Sequence, residues 1–478
     1  MSHPEPCSAI GIAEAVRDRR TTARAQVAAC LDRIARLDGP INAFVFVDAD
    51  GAMAAAEAFD ARLGRGEPAP PFAGVPVAVK DLRDTCIGMP TRNGSLMARD
   101  APLASSDTPQ IARLRRAGAI MIGKVATAEY GLDGVTHTLL HGTTRNPWNL
   151  ERTPSGSSGG SSAGVAAGMV PIATGGDGLG SIRCPAAFTG MVGLKPSLGR
   201  IPRADGFADT SCPGAITASV AETARYLDVV SGPDDCDRMT LPAASVSFED
   251  SMEQLDVAAL RARWSVDLGF APVEPEVAAV CEQAAHRLAE AAGLEIETDR
   301  SRWTNAYEAW NALAAVELRR RFEYEGILPD RIDEISPGPR RFIEQYAYRG
   351  NEELQRFREM VMRVEKEAAA FFREADVLMT PTACCVPYAA EGPLPTVIAG
   401  KDASHTNGEP FTALASIAWN PSISVPAGVS SDGLPIGLLI NVRRHRDDLA
   451  LRLARIWEQT NPWPLTAPPG LGPESRLV

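Results

Sequence analysis

Lysine is nearly missing from this sequence. Of 48 basic residues only Lys80, Lys124, Lys195, Lys366 and Lys401 are lysines; the rest are arginines. Arginine keeps its proton at any working pH, whereas a desolvated lysine can release it. Each of the five is therefore a candidate for a task that needs a neutral amine. A basic excess is also absent: Asp plus Glu is 60 and the formal net charge is −12. That balance argues against nucleic-acid binding through bulk charge and against attraction to an anionic membrane surface. No run of five or six like charges marks an interaction tail.

Paired cysteine motifs are missing too. The nine cysteines are odd in number, scattered, and contain no C-x-x-C pair. They read as reduced thiols in a cytoplasmic protein, not as a disulfide scaffold or a zinc site. The start of the chain lacks a basic segment followed by an apolar run, so no signal peptide is expected. Long apolar runs are absent. Residues 153–176 and 410–431 carry no charge, but the first opens with Ser-Gly repeats and the second contains Pro410, Pro421 and Pro426. A spanning helix needs about 20 consecutive apolar residues, so both are expected to be turn-rich interior.

What is present fits a large globular protein. The 478 residues are 45% apolar and 23% charged, enough to bury a core without staples. Thr22 can cap a helix whose apolar positions are Val27, Leu31, Ile34 and Leu37. An Ala-rich helix is expected over 48–63, and others over 111–117, 162–168, 217–231, 273–292, 306–321, 352–373 and 447–459. Strands are expected over 75–79, 120–122, 170–173, 422–425 and 436–440. Strands alternate with helices, which predicts an α/β fold: a single large domain over 1–478 with a mixed, mostly buried β-sheet surrounded by α-helices. Residues 232–252 read as a loop-like excursion.

Three segments carry possible chemistry. Residues 175–183 read G-G-D-G-L-G-S-I-R. Backbone N–H groups in such a turn can converge on one point and stabilise an oxyanion if a nucleophile sits beside them. Ser181 has that position. A purely structural loop is the competing reading; a phosphate loop is not, because no lysine follows. Ser181 needs a base. None of the six histidines lies in a nucleophile motif, and the G-x-S-x-G elbow is missing around Ser181. His137 and His141 have helical spacing but lack the glutamate of a zinc motif, and no metal site is expected. Lys80 ends the apolar run 75–79, where burial would lower its pKa; pairing with Asp81 or Asp84 is the alternative. Residues 155–161, S-G-S-S-G-G-S, lead directly into a small-residue helix and so are not a floppy linker. Hydroxyls held there could relay a proton between Lys80 and Ser181.

These segments together resemble the amidase signature family. Residues 155–161 and 176–186 (G-D-G-L-G-S-I-R-C-P-A) are similar to its core motifs, with Ser157 and Ser181 separated as in that family. Residues 74–81 (G-V-P-V-A-V-K-D) are similar to its lysine motif, and 88–91, 94–95, 146–148, 193–200, 426–428 and 433–437 continue the likeness over most of the chain. The resemblance implies a Ser–cisSer–Lys triad: Ser181 as nucleophile, Ser157 as bridging serine after a cis bond from Gly156, and Lys80 as base. It implies an oxyanion hole from the backbone of Gly178, Leu179, Gly180 and Ser181, with Asp177, Arg183 and Ser158 bracing the site. It also divides the chain into a core over 65–230, a substrate-shaping part over 232–375 and a closing part over 376–478.

The sequence departs from the family pattern at three places. Ser155 and Gly176 replace a usual glycine and threonine. Leu179 replaces a glycine in the turn, where its side chain is expected to narrow or grease the acyl pocket. Variable segments 130–140, 207–213 and 303–373 would shape the pocket, with Gly131 and Leu132 as wall positions. Trp303, Tyr307, Trp310 and Phe322 are expected in the core. The implied function is a serine hydrolase of amide C–N bonds without a cofactor, acting on uncharged or aryl amides and on carbamates (urethanes) or esters, as in the aryl acylamidase branch. Its expected partner is a small amide, with no nucleic acid or membrane, and the chain is expected as a monomer or homodimer. The alternatives are the A subunit of a tRNA-dependent glutamine amidotransferase and a non-catalytic amide-binding protein on the same scaffold.

Overall fold

Eleven strands line up in one mixed sheet at the centre of the molecule. The computed structural model describes residues 8–203, 210–347 and 350–468. From one edge, the strands run Phe44–Val47, Ile120–Val125, Pro76–Lys80, Ile172–Asp177, Cys212–Thr217, Val192–Lys195, Ser422–Val429, Pro435–Val442, Val377–Pro381, Arg261–Trp264 and Glu295–Thr298. Pro76–Lys80 is parallel to both its neighbours, and so is Arg261–Trp264; the antiparallel pairs lie at the centre and at the Phe44–Val47 edge. Every residue of Pro76–Lys80 is buried, as expected of a parallel strand covered on both faces.

Helices enclose the sheet where their caps and apolar faces predict. Thr22 caps Ala23–Ile41 by accepting from the Ala25 amide, and Asp48 caps Ala49–Gly64. Ser219 and Glu222 form a reciprocal capping box on Val220–Val230. The uncharged stretches are interior: the first contains the fully buried helix Gly159–Ala166, the second the fully buried helix Phe411–Ile417. Among the described residues no helix is long and apolar enough to cross a membrane. All eight described cysteines are free thiols; Cys7 lies outside the described residues.

Several elements differ from the sequence expectation for identifiable reasons. The small-residue helix begins at Gly159, not at 162, and takes the glycines into its first turn. A Cβ at Gly160 would lie 2.3 Å from the Ala126 amide nitrogen and one at Gly159 2.3 Å from the Thr136 hydroxyl, so only glycine lets the helix sit against its neighbours. The expected strand 170–173 is Ile172–Asp177, because Gly175, Gly176 and Asp177 keep pairing with Gly214, Pro213 and Cys212. The glycine-rich turn therefore starts only at Gly178. The excursion 232–252 ends in a helix, Phe248–Gln254, capped by Ser247 and tied to Asp228 through the Phe248 and Glu249 amides.

Candidate active site

Lys80 is the last residue of its strand and is 1% exposed. Its Nζ donates to Ser157 Oγ and Ser158 Oγ, each at 2.8 Å, and reaches the Gly176 carbonyl at 3.4 Å. It pairs with neither neighbouring carboxylate. Asp81 accepts from the Arg92 amide, and Asp84 accepts from Gln110 Nε2 at 2.6 Å. Burial, with the Arg83 charge, pushes the Lys80 amine down to about 7, against the pull of Asp84 and Asp177. A substantial neutral fraction at physiological pH follows.

Ser157 follows a cis peptide bond from Gly156. A Cβ at Gly156 would lie 2.4 Å from the Asp133 carbonyl, so the chain passes too close there for a larger residue. The next residue, Ser158, precedes the helix Gly159–Ala166; its amide donates to the Ser181 carbonyl at 3.2 Å. Ser158 thus does more than brace: its hydroxyl is the second oxygen on Lys80.

The turn carrying Ser181 is held by a buried ion pair. Asp177 and Arg183 are both 0% exposed and meet at 2.7 and 2.9 Å. Arg183 also donates to the Thr412 carbonyl and Ser416 Oγ. Burial works to raise the Asp177 pKa, but Arg183 and the hydrogen bonds prevail and hold it below the usual carboxylate range. Asp177 accepts the Gly180 amide at 2.7 Å and the Ile182 amide at 3.1 Å. The Gly180 N–H is therefore committed to Asp177 in this structure. The amides of Gly178, Leu179 and Ser181 have no protein acceptor among the described residues. Gly180 has φ +138, and a Cβ there would lie 2.5 Å from Thr412 Oγ1. Leu179 is not among the positive-φ residues, which is why a side chain is tolerated at that position.

Ser181 stands where two clefts meet. Gly131, Leu132 and Trp310 line both. The first cleft also holds Ser157 and the apolar side chains of Leu82, Tyr130, Pro202 and Pro213. The second holds Leu179, Asp133, Asn311, Arg341 and Glu409. Leu179 faces the site as expected. Of the variable segment 207–213, Ser211, Cys212 and Pro213 line the first cleft, while 207–209 lie outside the described residues. Trp303 and Phe322 are buried in the core. Trp310 and Tyr307 instead line the clefts, Trp310 fixed by its Nε1–H donating to Thr210 Oγ1 at 2.7 Å. The sequence offered no motif for Asp133, Asn311 or Glu409. Ser155, the unusual residue of its segment, is the one visible trace: it has φ +66 and donates to Glu409 at 3.0 Å. Burial pushes Glu409 up to about 8 and Asp133 up to about 6.

Comparison with known proteins shows the family of the chain. The Amidase family profile matches residues 25–451. An acylamidase of Rhodococcus erythropolis is 33% identical over 95% of this chain and 96% of its own. The A subunit of a glutamyl-tRNA(Gln) amidotransferase from Acidothermus cellulolyticus is 32% identical over 94% of each chain. The crystal structure of a bacterial aryl acylamidase superposes with a TM-score of 0.89 at 28% identity, covering 96% of this chain and 97% of that one. With the family profile spanning most of the sequence and the fold shared along its length, the chain belongs to the amidase signature family and is an amide-hydrolysing enzyme.

Proposed function

We propose that the chain hydrolyses aryl amides through Ser181, Ser157 and Lys80. The hydrogen bond from a wholly buried Lys80 to Ser157 carries this reading. Neutral Lys80 takes the Ser157 proton as Ser157 takes that of Ser181, and the Ser181 oxygen attacks the amide carbon. The amides of Gly178, Leu179 and Ser181 face the developing oxyanion. The proton then returns through Ser157 to the leaving nitrogen, the C–N bond breaks, and an ester remains on Ser181. Water attacks that ester by the same relay and releases the acid. Among the described residues the Ser181 hydroxyl makes no side-chain hydrogen bond; catalytic contacts of this kind commonly tighten only with substrate bound.

The leaving nitrogen must lie beside Ser157, which lines the first cleft and not the second. The first cleft therefore takes the amine part and the second the acyl part. Leu82, Tyr130, Leu132 and Trp310 suit an arylamine. This supports an aryl acylamidase, with N-aryl carbamates as further substrates because they release the same arylamine, and aryl esters because a phenol of the same shape leaves from the same cleft. The relatives support a second reading, the glutaminase subunit of an amidotransferase. Arg341 beside Asp133 and Glu409 in the acyl cleft is a set that could meet the carboxylate and amine of glutamine. A fluorophosphonate label with peptide mapping, and turnover on anilides, aryl carbamates and glutamine, tests both. Labelling of Ser181 and anilide hydrolysis by the isolated chain are expected. A label elsewhere, or undiminished turnover in Ser181→Ala, sinks the mechanism. Glutamine turnover only with partner subunits favours the second reading.

A further inference from the structure

The acyl cleft contains two buried polar atoms without a hydrogen-bond partner among the described residues. The Asp133 carboxylate is approached by the Gly134 and Val135 amides, yet its buried Oδ1 has no hydrogen bond of normal geometry. The guanidinium of Arg341 lies 3.7 Å from it, an ion pair beyond hydrogen-bond reach. Asn311, on the helix Tyr307–Tyr324, is 1% exposed, and its Nδ2 donates to nothing among the described residues. Both residues line the same cleft, and they do not bond each other. A buried donor or acceptor left unpaired is unfavourable, so an occupant that pairs both gains affinity that an alkyl chain cannot.

The two atoms specify what such an occupant presents. Asp133 Oδ1 accepts, so it asks for an N–H. Asn311 Nδ2 donates, so it asks for a carbonyl-type oxygen. A simple alkanoyl group leaves both unpaired. An ammonium suits Asp133 and leaves Asn311 unpaired. A carboxylate suits Asn311 and Arg341 but brings no donor to Asp133 Oδ1. One planar group that carries N–H and C=O together offers a partner to each.

We propose that the second cleft is an acyl subsite for a second amide-type group (amide, carbamate or urea), with its N–H donated to Asp133 Oδ1 and its C=O accepting from Asn311 Nδ2. The preferred substrates are then acylamino-acyl or oligoamide aryl amides. This rests on the reading of Ser181 as nucleophile with the amine on the Ser157 side.

Calorimetric titration of the full chain carrying Ser181→Ala reads binding without turnover. The probes are N-acetylglycine anilide and pentananilide, which has the same backbone length with methylenes in place of the amide. The diamide is expected to bind at least about tenfold more tightly. Asn311→Leu, of similar size, is expected to reduce that ratio about tenfold, and the shape-conserving Asp133→Asn to reduce it less. A ratio near one, a ratio unmoved by either variant, or no binding of either probe overturns the subsite. Tighter binding of glycine anilide or of glutamine than of the diamide also overturns it and assigns the cleft to an amine reader. Brisk anilide hydrolysis by the unmodified chain with a ratio near one sinks the subsite alone. Absent hydrolysis with the ratio intact sinks only the catalytic reading.

Discussion

Three of the five lysines are buried, and only one of them faces a hydroxyl relay. Lys124 donates to the Asp84 carbonyl and Thr91 Oγ1, and Lys195 to the Pro196 carbonyl; burial lowers both, but their partners are structural. Scarcity and an apolar strand end pointed to Lys80, and Ser157 and Ser181 could be named from their motifs. The choice between a carboxylate partner and a serine partner could not, because it depends on Asp81 and Asp84 turning to Arg92 and Gln110. If Lys80 works as a neutral amine near 7, kcat/KM rises with pH about tenfold per unit below that value and levels off above it. Lys80→Arg is expected to fold, as judged by circular dichroism, and to lose at least about 10³-fold in kcat/KM, since the guanidinium stays protonated. A Lys80→Arg enzyme within tenfold of the parent, or a flat profile from pH 5.5 to 8, would remove the lysine from the relay.

At the scale of the element, the turn from Gly178 to Ser181 owes its shape to the side chain that precedes it. Asp177 accepts two turn amides while pairing with a wholly buried Arg183. The motif announced a glycine turn, but not that one carboxylate would take the Gly180 amide and leave those of Gly178, Leu179 and Ser181 without a protein acceptor among the described residues. That depends on the strand continuing through Asp177 against Cys212, a pairing between segments distant in sequence. Removing one member of a buried pair strands the other charge, at about 3–5 kcal/mol. Asp177→Asn is expected to lower the unfolding free energy from urea titration by an amount of that order and to reduce kcat. Adding Arg183→Met removes the stranded charge, and part of the stability should return while activity stays low. If the double variant is less stable than Asp177→Asn, the cost lies in lost packing and not in the unpaired charge.

Across the whole molecule, the sheet assembles a site that no single segment contains. Lys80 and the turn after Asp177 come from adjacent parallel strands, and the helix Tyr307–Tyr324 brings Trp310 and Asn311 to the clefts. Five of the eleven strands and the glycine motifs were legible because their period and spacing are local; the other six, among them Cys212–Thr217 and Val377–Pro381, were not expected as strands. The cleft walls were not legible, since Trp310 and Trp303 have the same composition-level signature and differ only in where tertiary packing aims them. This assembly buries many ionisable groups, and their shifts set how stability depends on pH. Burial raises Glu409 to about 8, Glu222 to about 7, and Asp81 and Asp133 to about 6. Unfolded, these groups return to 4.5 or 3.8. Between those limits the folded chain holds protons that the unfolded chain has released, so stability falls as pH rises from about 4.5 to 8. Lys80, Lys124 and Lys195 act in the other direction. Their folded pKa values are depressed from 10.5, Lys80 to about 7, so the unfolded chain binds more protons above pH 7 and stability recovers towards 10.5. The expected profile has its minimum near pH 7 to 8, with Tm lower at pH 7.5 than at 5.5 and at 9.5 by on the order of a few degrees. Glu409→Gln removes the largest acidic contributor and is expected to flatten the acidic arm while leaving the alkaline arm in place. A Tm maximum at pH 7.5 in the parent would show that exposed ion pairs, not the buried acids and lysines, govern its pH response.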